Sequence, residues 1–324
     1  MSRNATKDLT TGSPMKLILG FGIPLLFGML FQQFYNMMDT IIVGKFLGVS
    51  ALASVGATGS INFMIIGFCM GVCNGFAIPV AQRFGAKDEH GMRKFVANSV
   101  WLSIIFAVVM AVLVCVFCRQ ILELMNTPED IIDGSYSYIF VIFLGIPATY
   151  MYNLLSGIMR SLGDSKTPLY LLIFSSILNI ILDLLSIIVL KMGVAGAAWA
   201  TVIAQAVSGF CCLGVIWKKF PILHVQREEW QPDKLCILNL CNMGIPMGLQ
   251  YSITAIGSVI IQAAVNSLGS VAVASVAAAV KINMFLCCPY DAMGSTMATY
   301  AGQNVGAGKF DRLKQGEKSC TLLG

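Results

Sequence analysis

The most regular feature of this chain is a series of long apolar stretches separated by short polar segments that carry most of its charge. About 20 helical residues cross the roughly 30 Å of hydrocarbon in a bilayer. The eight predicted spans are residues 17–43, 52–80, 96–117, 134–156, 169–190, 194–216, 237–265 and 273–300. Helices are expected because lipid offers no partner to unpaired backbone groups. The pattern therefore predicts an all-α membrane protein, a polytopic transmembrane helix bundle.

Composition and charge agree with a membrane-embedded surface. Hydrophobic residues make up 57% of the chain and charged residues only 11%. Lys and Arg accumulate in short cytoplasmic loops, and a cytoplasmic N-terminus places 17 of the 21 basic residues on that side. Only Lys45, Arg119 and Lys191 then lie outside. The net charge of +5 thus reflects topology rather than nucleic-acid binding, and we expect a multi-pass protein of the bacterial inner membrane.

An internal repeat organises the chain. Residues 47–62 align with residues 268–283 at an offset of 221, with nine of 16 positions identical. Two further aligned pairs are AQRFGA at 81–86 with GQNVGA at 302–307, and Gly-Ile-Pro at 22–24 with the same tripeptide at 244–246. Six spans separate the two starts, so both copies enter the membrane from the same side. The sequence predicts two lobes built from parallel repeats.

The repeat divides the chain into three parts. The N-lobe, 1–217, has six transmembrane helices; a cytoplasmic linker, 218–236, follows; the partial C-lobe, 237–324, has two helices and a cytoplasmic loop. The second copy is incomplete, and we interpret the chain as truncated. Two repeats with a site between them are typical of secondary transporters.

Ionisable residues inside the spans need an explanation, since a mid-bilayer Asp costs about 3 kcal/mol on insertion scales. They are Asp39, Asp183, Asp291 and Lys281. Asp39 ends a polar helix face that includes Gln32, Tyr35 and Asn36, and Asn179 shares a face with Asp183 four residues on. Such oxygen-rich groups suit a proton or a hard cation such as Na⁺. A structural polar network is the alternative.

Asp291 and Lys281 fit several roles. They lie ten residues apart, nearly three helical turns, and cannot pair directly along one helix. Helix packing or gating is as good an interpretation as binding.

Other chemistry finds little support. His90 and His224 lie in separate loops without metal-ligand spacing, and GAGK at 306–309 lacks the earlier Gly and the final Ser or Thr of a phosphate-binding loop. We therefore expect no cofactor, no enzyme activity, and transport driven by an ion gradient or the membrane potential.

Four separated motifs resemble the multidrug and toxic compound extrusion (MATE) family. They are QFYNMMDTIIVGKFLG at 33–48, RSLGDSKTP at 160–168, GVAGAAWAT at 193–201 and GQNVGAGKFDR at 302–312. Together they place the resemblance over about residues 15–315.

The resemblance implies a twelve-helix, two-lobed antiporter that exports cationic amphipathic compounds in exchange for Na⁺ or H⁺. By their matching positions, Asp39, Asn179, Asp183 and Thr201 would form its cation site. Candidate cavity or supporting residues are Gln33, Asn36, Asn153, Lys281 and Asp291. Expected partners are small cationic drugs and membrane lipid but no nucleic acid, and the full-length protein would be a monomer.

Two departures from the family pattern matter. Leu184 follows Asp183 where relatives often have Pro, and helices 9–12 of the family's twelve are missing. The alternatives are a flippase for a lipid-linked precursor, which would need several basic residues in its cavity, an intramembrane enzyme, or an inactive fragment of the exporter.

Overall fold

The computed structural model describes residues 6–125, 127–266 and 270–323. Within these ranges the regular secondary structure consists only of helices, with no strand. The α-helices are α1 (Pro14–Leu47), α2 (Val49–Ala57), α3 (Gly59–Gly85), α4 (Glu89–Val116), α5 (Cys118–Leu124), α6 (Glu129–Leu144), α7 (Ile146–Ser161), α8 (Lys166–Leu184), α9 (Val194–Lys219), α10 (Lys234–Asn266), α11 (Ser270–Gly306) and α12 (Phe310–Leu323). A π-helical turn, Leu185–Val189, extends α8, and 3₁₀ turns at Pro221–Leu223 and Arg227–Trp230 lie between α9 and α10. The predicted all-α fold is confirmed.

Several helices are long and apolar enough to cross a membrane. Within the described residues these are α1, α3, α4, α8 with its π-helical turn, and α9, and the bent pair α6 and α7 makes a sixth. α10 and α11 contain 33 and 37 residues, more than the roughly 20 that a span requires. The chain is a multi-pass membrane protein.

Two predicted spans are interrupted. Span 52–80 begins inside α2, and a separate helix, α3, starts at Gly59. Span 134–156 breaks at Gly145, where α6 and α7 meet at 46°. A Cβ at Gly145 would overlap Val202 of α9, and Pro147 in the first turn of α7 has no N–H to continue the previous helix. Hydropathy alone does not register either break.

Equivalent positions of the two repeats contact each other reciprocally. A Cβ at Gly85 of α3 would overlap the backbone of Gln303, and a Cβ at Gly306 of α11 would overlap the backbone of Gln82. Both pairs follow the offset of 221. Because both glycines end their helices, equivalent ends meet, as expected when an axis along the bundle relates two parallel repeats.

A second reciprocal contact lies nearer the middle of the bundle. A Cβ at Gly22 of α1 would lie 3.0 Å from Oγ1 of Thr296 on α11, and a Cβ at Gly75 of α3 would lie 2.5 Å from the Cα of Gly244 on α10. Gly22 corresponds to Gly244, and Gly75 corresponds to Thr296. α1 therefore packs on α11 as α10 packs on α3.

Burial follows the position of each helix in the bundle. α3 is central, and its Cys69, Val72 and Phe76 are inaccessible to solvent. α4 lies outside, and about half of each side chain of Val109 and Val112 is exposed. An apolar outer face of this kind suits lipid rather than water.

The N-terminal strap, residues 6–13, crosses from one repeat to the other. The Lys7 N–H donates to the Leu162 carbonyl over 2.8 Å, and the Leu9 N–H donates to Oε1 of Gln303 over 2.9 Å. Nε2 of Gln303 donates in turn to the Ser161 carbonyl over 2.8 Å. Leu9 and Gln303 are both buried. The side chain of Gln303 therefore joins the strap and the end of α7 to α11, because its oxygen accepts one hydrogen bond and its nitrogen donates one.

Residues of the predicted loops complete this strap. Nζ of Lys309 donates to the Thr10 carbonyl over 2.9 Å, and Nη2 of Arg312 donates to the Gly12 carbonyl over 3.0 Å. Gly163 has a φ of +85°, and a Cβ there would overlap the backbone of Lys7. The lysine of GAGK thus holds the strap.

The linker between the repeats is fixed to α4 by a buried carboxylate. Glu229 is 1% exposed and accepts from Nε of Arg93 and from the Gln226 N–H over 2.9 and 2.8 Å, and it contacts Nδ1 of His90 at 2.9 Å. Burial opposes the charge, but these hydrogen bonds and the Arg93 charge outweigh it and hold the pKa of Glu229 below its ordinary value. Trp230 adds an edge-to-face contact with Trp101.

Replacing Gln303 with Ala should release the strap. The change leaves the buried Leu9 N–H and Ser161 carbonyl without their partners, at a cost of about 1–3 kcal/mol each. We expect faster tryptic cleavage after Lys7 than in the unaltered protein. Gln315→Ala, at an exposed position on α12, is the control, and equal cleavage rates in the two variants would contradict the assignment.

Glu229→Gln should lower the thermal unfolding temperature at neutral pH, because the charge-assisted bonds to Arg93 are lost, worth about 1.5–3 kcal/mol at this largely buried pair. The depressed pKa means that this stability is present above the unfolded value and is lost as pH falls through the folded one. The gap between variant and unaltered protein should therefore close in acid. Glu228→Gln, at the exposed neighbouring position, should have no effect; a gap that persists in acid would refute the explanation.

Candidate functional site

A polar cluster forms where α1, α8 and α9 meet. Oγ1 of Thr201 receives hydrogen bonds from Oη of Tyr35 over 3.4 Å and from Nδ2 of Asn179 over 3.2 Å, and it donates to the Ala197 carbonyl over 3.1 Å. One hydroxyl thus joins the three helices. Asn179 and Asp183 are both 1% exposed.

Four buried oxygen atoms of this cluster lack a hydrogen-bond donor within the described part of the chain. They are Oδ1 of Asp39, Oδ1 of Asn179, and Oδ1 and Oδ2 of Asp183. A buried acceptor without a donor costs about 1–3 kcal/mol, and more when it is charged. The cluster is therefore a set of oxygen ligands without protein donors.

The two carboxyl groups of the cluster face each other. Asp39 and Asp183 lie close enough to influence each other electrostatically, and the phenol groups of Tyr35 and Tyr138 lie within the same range of both acids. Two neighbouring carboxylates that are buried away from water require a compensating proton or cation. Oxygen atoms from Asp and Asn are suitable ligands for a hard cation.

The backbone after Asp183 is irregular without a proline. Residues Leu185–Val189 form a π-helical turn, and the hydroxyl of Ser186 donates to the Leu182 carbonyl. The Leu190 N–H donates to the Leu185 carbonyl over 3.0 Å, five residues back. π-helical turns are frequent at functional sites. The helix is thus irregular after Asp183 although Leu184, and no proline, follows the acid.

A central cavity of about 160 Å³ adjoins this cluster. Tyr35 and Thr201 of the cluster line it and are joined by a hydrogen bond, whereas Asp39 and Asp183 are not among its lining residues. Further along, Oγ1 of Thr149 donates to Oε1 of Gln205 over 2.6 Å, and Nδ2 of Asn153 donates to the Thr149 carbonyl over 2.8 Å. Asn153 lines the cavity as a neutral polar side chain.

A second cavity of about 290 Å³, the α11 cavity, lies between α3, α7, α10 and α11. Asp291 lines it and does not join the Asp39 cluster. The two cavities adjoin because they share lining residues, which are Asn74, Arg160, Tyr251 and Ser295.

The remaining candidates lie away from the cluster. Asn36 is exposed on α1 and its carbonyl accepts from Thr40, while Gln33 is half-buried and lines neither cavity. The spacing of three and four residues along α1 predicts that Asn36 adjoins Tyr35 and Asp39, but the side chain of Asn36 is exposed. The side chain of Lys281 lies outside the described residues.

Two residues of the site escape prediction from sequence. Arg160 is assigned to a cytoplasmic loop by its motif, but it lies in the last turn of α7, lines both cavities and donates to Oδ1 of Asn74 over 3.2 Å. Tyr138 of α6 reaches the acids only through tertiary packing. A basic residue directly before Gly-Asp at a helix end is the one available signal for Arg160.

The rest of the RSLGDSKTP motif has a local structural role. Oδ1 of Asp164 accepts from the Lys166 and Thr167 N–H groups over 3.0 Å each, and Oδ2 accepts from the Thr167 hydroxyl over 2.5 Å. Asp164 thus satisfies the first amides of α8, which would otherwise lack partners.

Comparison with known proteins identifies a matching family model and similar transport proteins. The MatE family model matches residues 24–185 and 246–324, two segments that each begin at the proline of a Gly-Ile-Pro sequence. YoeA of Bacillus subtilis, named a "Probable multidrug resistance protein", is 32% identical over 305 residues, which are 91% of this chain and 65% of that protein. YpnP of the same organism, named likewise, is 30% identical over 308 residues, 94% of this chain and 68% of its own length. The chain thus spans about two thirds of these relatives.

A solved structure shows the same architecture. It is described as "Outward-facing conformation of a multidrug resistance MATE family transporter of the MOP superfamily", and it superposes with a TM-score of 0.89 at 25% identity over 96% of this chain and 69% of that one. The matched family model covers more than half of the chain. The chain belongs to the MatE family of multidrug and toxic compound extrusion transporters.

Proposed function

We propose that this chain carries the ion-coupling site of a secondary active antiporter that exports cationic amphipathic compounds in exchange for Na⁺ or H⁺. The observation that carries the proposal is the set of four buried oxygen atoms without donors on Asp39, Asn179 and Asp183. A proton or a Na⁺ ion would supply the missing positive charge.

Thr201 and Tyr35 connect the ion site to the cargo cavity. Thr201 accepts from Asn179 on the ion side and from Tyr35, and both Thr201 and Tyr35 line the cavity. A cation at Asn179 would change the hydrogen bonds of the same hydroxyl that forms the cavity wall. Ion and cargo therefore act on one element, which is the requirement for coupling two sites.

The energy source that we propose is an ion gradient, because the GAGK segment does not act as a phosphate-binding loop. Lys309 of GAGK holds the Thr10 carbonyl of the strap rather than a phosphate loop. Moving one charge across a membrane potential yields about 2.3 kcal/mol per 100 mV. Each inward charge in excess of the charge on the exported cargo would contribute that energy, and the concentration gradient of Na⁺ or H⁺ would add to it.

The relatives and the basic residues support the setting of this activity. YoeA and YpnP carry multidrug resistance names, which favours drug cargo here. The 17 to 3 distribution of basic residues supports a cytoplasmic N-terminus in the bacterial inner membrane. Lipid surrounds the bundle, and the full-length protein would act as a monomer without nucleic acid.

The flippase alternative has less support. A lipid-linked diphosphate needs several basic groups in its cavity, and among the described lining residues only Arg160 is basic.

Asp39→Asn and Asp183→Asn should each slow ion-driven ethidium efflux at least about tenfold, because one charge of the ion site is lost. Efflux is measured in proteoliposomes with a Na⁺ gradient alone and then an H⁺ gradient alone, which also identifies the ion. Asp133→Asn, an exposed aspartate on α6, is the control. Unchanged efflux by the double variant would refute the ion site.

A cysteine at Lys87 should be inaccessible to a membrane-impermeant maleimide in intact cells, whereas one at Lys191 should be labelled. Both positions are exposed turns at opposite predicted sides. The unsubstituted protein gives the background of the 11 native cysteines. Labelling at Lys87 from outside would reverse the proposed topology.

A further inference from the structure

The central cavity has an unexpected charge for a site that takes cations. Among its described lining residues, Arg160 is the one charged side chain; the other polar groups are neutral hydroxyls and amides. Asp39 and Asp183 are not among its lining residues, whereas Tyr35 and Thr201 are. A purely cationic compound in this cavity would meet a positive charge and no acid on its wall.

Arg160 makes little use of its hydrogen-bonding capacity. A guanidinium carries five N–H donors in a planar fork, and the described contacts of Arg160 include one hydrogen bond, to the neutral Oδ1 of Asn74 over 3.2 Å. No carboxylate of the described chain lies within ion-pair distance of it. Its electrostatic neighbours are the neutral side chains of Tyr152, Tyr251 and two cysteines.

Asp291 does not neutralise Arg160. It lines the α11 cavity together with Arg160 and Tyr251, but it forms no ion pair with Arg160. The guanidinium therefore borders both cavities without a counter-ion among the described residues. An enclosed charge without a partner is costly and calls for a ligand.

We propose that Arg160, supported by Asn74, is a binding site for an acid group of the cargo, a carboxylate or phosphate. The planar fork suits two parallel hydrogen bonds to the oxygen atoms of such a group. A cargo that carries an acid group as well as a cationic one is then held with its acid at Arg160 and its cationic or aromatic part elsewhere in the two cavities, and it binds more tightly than a cargo that is only cationic. This deepens the proposed export function and rests on it, by naming the class of compound that the cavity selects.

Two matched dyes separate charge from shape. Rhodamine 110 carries a free carboxylate, and rhodamine 123 is its methyl ester with the same cationic ring system. Binding of each to the purified protein is measured by fluorescence anisotropy at neutral pH. Arg160→Gln should weaken rhodamine 110 binding about tenfold to a hundredfold and leave rhodamine 123 within about twofold, because only the acid loses a charge-assisted pair.

A second variant makes the test independent of losing Arg160. Asn74→Asp places a carboxylate beside the guanidinium, where it competes with the acid of the dye, so rhodamine 110 binding should again fall while rhodamine 123 binding is kept. Arg227→Gln, an exposed arginine of the linker, is the control and should leave both dyes unaffected.

The outcomes distinguish this site from the ion site. Equal weakening of both dyes, or unchanged rhodamine 110 binding, in Arg160→Gln and Asn74→Asp would overturn the acid-binding site. The effect of Na⁺ and pH on rhodamine 123 binding should survive Arg160→Gln. Its absence from the unaltered protein would defeat the proposed ion coupling while leaving the dye discrimination intact.

Discussion

Asp39 and Asp183 place two facing carboxyl groups inside an apolar helix bundle, where an uncompensated charge costs several kcal/mol. No donor of the described chain satisfies the buried oxygens of Asp183. The neighbouring donors, the Tyr35 hydroxyl and the Asn179 amide, donate their hydrogen bonds to Thr201 instead. Under the proposed function, a bound proton or cation would supply the missing positive charge and stabilise the site.

The seam between the repeats lets such a site act over a distance. Gly85 and Gly306 bring α3 and α11 into backbone contact at their ends, and Gly75 and Gly244 do the same for α3 and α10. The strap crosses this seam through Gln303. Small residues let helix backbones approach closely at such a seam, and the strap bridges the two repeats at one end of it.

Much of this fold follows from the sequence by general physical rules. Lipid forces helical backbone pairing, so apolar stretches alone locate the long helices, and the offset of 221 indicates the two repeats. Those rules do not predict the breaks at Thr58 and Gly145, and the second of them depends on a tertiary contact with Val202 of α9. Periodicity along α1 likewise does not reveal which of its side chains face the bundle, and Asn36 is exposed.

The site divides in the same way. Asp39, Asn179 and Asp183 stand out because acids and amides are costly in a span, and Thr201 came from family resemblance. Arg160 was assigned to a loop since basic residues normally mark cytoplasmic segments, a rule that ignores how far α7 extends before it ends. Its position at the two cavities depends on the packing of α3, α10 and α11 around it, which the local sequence does not show.

Competition between ion and cargo tests the central claim most directly. Rhodamine 123 binding to the purified protein should weaken as Na⁺ rises or pH falls, because the ion and the dye favour opposite arrangements of the wall formed by Tyr35 and Thr201. Asp39→Asn and Asp183→Asn should remove that dependence. Binding that responds to Na⁺ and pH identically with and without the two acids would contradict the account.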